Sequence, residues 1–206
     1  MSGCCDDKVF EGMSEGYKRA LLAVILINAV MFFVEITAGL KSGSQALLAD
    51  ALDFAGDSAT YTISLLVIGA SLRTRAMASL FKGGSLAFIA IIILASSLYR
   101  FLGDTVPVAE TMGLIGFLAL LANLSSLLIL MRWREGDSNV RPVWLCSRND
   151  AVGNVGVIIA GIVVAITGAA WPDLIVAILL ATLFLRSSVS IISQARAELK
   201  SEAGKS

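Results

Sequence analysis

Six apolar stretches, each close to the ~20 residues that carry a helix across a hydrocarbon core, leave this chain few ways to fold. They run from about Ala20 to Leu40, Gln45 to Leu72, Leu80 to Leu102, Glu110 to Met131, Pro142 to Gly168 and Pro172 to Ile192. Lipid offers no partner for an exposed N–H or C=O, so spanning segments of this length close their own backbone bonds as helices. The predicted fold is therefore an all-α integral membrane protein, a six-transmembrane-helix bundle. Composition agrees: 57% of the 206 residues are hydrophobic, and the mean hydropathy is +0.83. The organisation expected is an N-terminal tail over 1–17, a transmembrane domain over 18–193 and a short C-terminal tail over 194–206.

Basic residues set the expected orientation. Lys8, Lys18 and Arg19 precede the first segment, and Arg73, Arg75 and Lys82 are assigned between the second and third. Arg132, Arg134 and Arg141 lie between the fourth and fifth, and Arg196, Lys200 and Lys205 follow the sixth. The alternate connections hold only Lys41 and Arg100. The positive-inside rule then puts both termini in the cytoplasm, and the expected location is a bacterial inner membrane.

Several classes of function drop out. Sixteen basic and sixteen acidic residues balance to zero, so no basic body points to nucleic acid. No GxxxxGK[ST] loop is present for pumping by ATP hydrolysis, and neither an enzyme nor a cofactor is expected. There is no histidine, which removes the commonest transition-metal ligand and leaves carboxylate, thiolate, amide and hydroxyl groups for any metal site. Three cysteines make no disulfide framework. The opening residues, with Asp6, Asp7 and Glu11, are too acidic for the charged start of a signal peptide and read as a tail. Cys4 and Cys5 in that tail are either metal-capturing thiols, solvated thiols or lipidation sites.

Against this apolar background the stretch Ser44–Thr60, SQALLADALDFAGDSAT, carries Asp50, Asp53 and Asp57. A carboxylate inside a membrane costs at least ~3 kcal/mol if left alone, and such residues mark ion or proton paths. On a helix Asp53 and Asp57 are i,i+4 and share a face, and Asp50 lies close to it. A cation resolves their repulsion. Asp50, nearer the other end of the segment, is read as lining the path or capping.

The fifth segment opens with VWLCSRNDAVGNVGV, where Cys146 and Asp150 are again i,i+4, with Asn149 alongside and Asn154 one turn on. Pro142 suits a first turn, with Ser138 or Asn139 as the cap before it. Arg148 points away from the Cys146–Asp150 face and is assigned to headgroups or to an acid. Residue type alone leaves Cys146 open between ligation and packing as a small hydrophobe. Asn28, Glu35 and Asn123 either bond between helices or line a cavity, and Gly83, Gly84 and Ser85 favour close helix packing.

The run Ser44, Gln45, Ala46, Leu47, Leu48, Ala49, Asp50, Ala51, Leu52, Asp53, then Asp57, resembles the second-helix motif of the cation diffusion facilitators, exporters of zinc and related divalent metals. That resemblance implies six helices, two termini inside, a homodimer joined through transmembrane helices and one four-ligand site. The ligands it implies here are Asp53 and Asp57 from the second helix and Cys146 and Asp150 from the fifth; Asp50, Asn149 and Asn154 are read from their placement as accessory candidates. Zinc members commonly carry His where this chain has Asp53 and Cys146. Members also commonly carry a cytoplasmic domain after the sixth helix, so a shortened member is expected.

The function expected is proton-coupled efflux of a divalent cation, zinc or cadmium, by alternating access, with the metal as substrate. Ligands must lose protons to bind metal, so the two cations compete for the same groups. The alternatives are a metal-binding scaffold or sensor that does not transport, and an exporter of manganese or iron(II).

Overall fold

The computed structural model describes residues 15–66, 71–103, 105–131 and 140–203, with 140–149 described by backbone alone. Six helices follow one another: α1 Glu15–Ser42, α2 Gln45–Leu66, α3 Leu72–Phe101, α4 Ala109–Met131, α5 Val140–Thr167 and α6 Trp171–Ala203. Five are long and apolar enough to cross a membrane. The remaining one, α2, has 22 residues, a length of about 33 Å at 1.5 Å per residue. It has the reach of a spanning helix but carries three aspartates in its first thirteen residues.

Burial is inverted relative to a water-soluble bundle. Asn28, Glu35, Asp50, Asn123 and Asn154 are buried, whereas Leu26, Phe33, Phe81, Phe88 and Leu128 are exposed. Polar groups turned inward and large apolar ones turned outward are what a lipid solvent demands. The chain is a helical membrane bundle.

The most extensive pairings are α3 with α6, α4 with α5 and α1 with α2, and among the described residues α2 alone packs against all five other helices. It is the axis of the bundle. Ala46 and Leu47 pack with Met112, Val157 and Ala160, while Ala49 and Leu52 pack with Ala90, Ile93, Ala177 and Ala181. The α3–α6 seam is tight at Gly83, where a Cβ would stand 2.9 Å from Ile192 Cγ1. Close approach by small residues is how helices associate where lipid removes the hydrophobic drive. Gly84, one residue on, faces open space within the chain.

The first end of α2 is fastened across the bundle. Ser44 Oγ accepts from Leu47 N at 3.1 Å and donates to Asp173 Oδ1 at 2.6 Å. Gln45 N and Ala46 N donate to the same carboxylate at 2.8 and 3.0 Å. Asp173 thus fills donors that a helix start leaves open and sits at the positive end of the helix dipole. Alongside, Arg100 Nη1 donates to Gly43 O at 2.6 Å and Ser96 Oγ to Gln45 Oε1 at 2.6 Å. Gly43 turns the chain between α1 and α2 at φ 73°, a conformation glycine adopts at little cost.

Helix ends depart from the hydropathy-based expectation. α1 begins at Glu15 and α3 at Leu72, each well before its apolar run. Ser71 Oγ caps α3 by accepting from Thr74 N at 3.2 Å, and Lys18 donates to Glu15 at 2.9 Å in the first turn of α1. Lys82, assigned to a connection, instead lies within α3, is buried, and donates through Nζ to Thr60 Oγ1. α6 likewise runs on to Ala203, through the stretch expected to be a tail. Hydropathy registers only the part of a helix that meets lipid, while backbone bonding continues past it. The expected caps Ser138 and Asn139, and Cys4 and Cys5, lie outside the described residues.

Candidate metal centre

The α2 repeat places Asp53 and Asp57 one turn apart on the face toward α5, and α5 brings Asp150 to meet them. One oxygen from each lies within 4.8 Å of the others, with Asp57 buried and Asp53 and Asp150 half-buried. At that separation two unit charges repel by roughly 3 kcal/mol for an effective dielectric near 20. Oxygens around one tetrahedral, zinc-sized ion stand about 3.5 Å apart. The three carboxylates need to close by little more than an ångström to share a cation.

Tyr61, absent from the sequence-derived set, belongs to this cluster: its hydroxyl donates to Asp57 Oδ2 at 2.7 Å. The clue was its i,i+4 spacing from Asp57. A donor of this kind fixes a carboxylate's rotamer, and such outer partners commonly govern about 10- to 100-fold in metal affinity. Tyr61→Phe should therefore weaken metal binding about tenfold in a competition titration while the helix content is unchanged.

One turn nearer the Leu66 end, Thr60 Oγ1 donates to Gly56 O at 2.6 Å and accepts from Lys82. The buried ammonium thus sits beside α2 one turn from Asp57. Its assignment as a connecting-loop charge concealed it.

Asp50 stands apart from the triad. Its Oδ2 accepts from Asn154 Nδ2 at 2.6 Å, and Asn154 Oδ1 accepts from Asn123 Nδ2 at 2.7 Å. Asn154, named as an accessory ligand position, commits its carbonyl and its amide to this chain of bonds between α4, α5 and α2. Cys146, Arg148 and Asn149 occupy α5, and their side chains lie outside the described residues. Cys146 is one helical turn before Asp150, as the i,i+4 spacing requires.

A cluster of carboxylates at the axis of a membrane bundle is what a cation path needs. Residues 21–199 match the family described as the cation efflux transmembrane domain. The chain belongs to the cation efflux family. Among similar members, the zinc transporter ZitB of Yersinia pestis is 31% identical over 194 residues, covering 88% of this chain and 62% of that protein. ZitB of Escherichia coli (strain K12) is 32% identical with the same coverage. The cadmium, cobalt and zinc/H(+)-K(+) antiporter of Bacillus subtilis (strain 168) is 27% identical over 190 residues, 84% of this chain and 60% of that one. The chain thus spans about three-fifths of the length of these cation efflux relatives.

Proposed function

We propose that this chain exports a divalent metal cation from the cytoplasm of a bacterium by alternating access coupled to protons. The observation that carries the reading is the convergence of Asp53, Asp57 and Asp150, from two helices, inside a membrane bundle. Cys146, one turn before Asp150, is the fourth ligand. In this reading both termini are cytoplasmic, metal enters from the Leu66 end of α2, and release is toward the Ser44 end. Metal displaces protons from the carboxylates and thiol, and returning protons expel it, because each ligand binds only one of the two at a time. Zinc and cadmium are the favoured substrates, in keeping with the zinc transporters and the cadmium, cobalt and zinc antiporter among the relatives. The protein works as a homodimer joined through its transmembrane helices.

The test is metal uptake into proteoliposomes under an imposed pH gradient, with zinc, cadmium, cobalt, manganese and iron(II) in parallel. Zinc or cadmium uptake that collapses with the gradient is the expected result. Metal binding without gradient-dependent uptake would instead make the chain a scaffold or sensor.

Cys146 sets the preference among metals. Three carboxylates alone form a hard oxygen site suited to manganese, magnesium or iron(II), and one thiolate moves it toward zinc and cadmium. Cys146→Ser should weaken cadmium and zinc binding at least tenfold more than manganese binding. Equal losses for hard and soft ions in competition titrations would show the sulfur to be packing only.

A further inference from the structure

We propose a second divalent-cation site, formed by Glu35 of α1 and Asp50 of α2, one helical turn from the triad. Glu35 is 0% exposed, and both of its carboxylate oxygens are buried without a hydrogen-bond donor. The group they face is the Asp50 carboxylate, which lies within hydrogen-bonding reach. Two carboxylates meeting in a dry interior repel unless a proton or a metal cation stands between them, and a cation that displaces the proton makes the pair a site.

Asp50 is held ready for such a guest. The bond from Asn154 takes up Oδ2 only, and Asn123 fixes Asn154 in turn. That chain leaves Asp50 Oδ1 uncommitted by it and fixes the plane of the carboxylate. Outer bonds of this sort commonly orient the carboxylates that ligate metals. Asp50 is i,i+3 from Asp53, so the Glu35–Asp50 pair and the triad form a nearly continuous line of oxygens along α2. An all-oxygen pair completed by water suits a divalent ion in transit: it holds the ion more weakly than a four-ligand site and can pass it on. The ligand class depends on the metal-export reading, and the site on Glu35 and Asp50 alone.

The experiment is equilibrium dialysis of the purified full chain in nanodiscs against cadmium, for the wild type, Glu35→Gln, Asp50→Asn and Asp57→Ala. The expected result is two cadmium ions per chain in the wild type. Each of the three variants should keep one, and Glu35→Gln combined with Asp57→Ala should keep none. The ion retained by each single variant also demonstrates that the variant is folded. One ion per chain in the wild type, still present in Glu35→Gln and Asp50→Asn, would overturn the second site and leave the export reading standing. No ion in any form would overturn both.

Discussion

Replacing Asp57 or Asp150 by alanine abolishes metal transport and leaves a protein at least as heat-stable as the parent. Each change removes one anionic ligand from a site whose carboxylate oxygens lie within 4.8 Å of one another. Loss of a partner that merely orients a ligand costs about 10- to 100-fold in affinity, so loss of the ligand itself should cost more than about 100-fold. Where the carboxylates are ionised, stability moves the other way, because each deletion also removes repulsion of roughly 3 kcal/mol per pair. Transport assays in proteoliposomes and thermal melts of the same preparations check both halves. Transport by Asp57→Ala at the parental rate would show that α2 does not carry the ion.

Asp173→Ala gives the opposite signature: the bundle loosens first, and transport falls as a result. The carboxylate accepts from Ser44 Oγ, Gln45 N and Ala46 N within 2.6–3.0 Å, and alanine leaves those buried donors without it. Hydrogen bonds to a charged group contribute about 1.5–3 kcal/mol each, and orphaned donors add to the loss. A net destabilisation of roughly 3 kcal/mol lowers the melting temperature by about 6–12 °C for a chain of this size. Asp173→Asn retains one acceptor oxygen and should lose about half as much. A melting temperature unchanged in Asp173→Ala would mean that water or a neighbouring group replaces the carboxylate.

The carboxylates of α2 were legible in the sequence because an aspartate in an apolar segment stands out on cost alone, and because i,i+4 spacing determines a shared face. Asp150 was legible for the same reason. Tyr61 had the right spacing, but tyrosine is unremarkable in a membrane helix. The partnerships of Asp50 with Asn154, of Asn154 with Asn123 and of Asp173 with Ser44 join residues from 31 to 129 positions apart. No local pattern encodes such pairs; only the packing of helices around α2 creates them. Lys82 shows how an assumption propagates. Taken as a loop charge it supports an orientation, yet buried on α3 it bonds to the helix that carries the triad.

The Ser44 end of α2 carries a dense set of fixed hydrogen bonds, and in the export reading it would serve as the fulcrum of a lever. Its Ser44 end is held by Asp173, Arg100 and Ser96, whereas its far half is joined to α3 through the Lys82–Thr60 bond. With the fulcrum at Ser44, Asp53 and Asp57 lie about 14 and 20 Å along the arm and Leu66 lies about 33 Å along it. A tilt of about 5° then shifts the two ligands by about 1.2–1.7 Å and the Leu66 end by about 3 Å. The smaller displacement matches the closure that the carboxylates need in order to grip an ion. In the export reading, a tilt of this size would bring the ligands together and displace the Leu66 end in a single stroke.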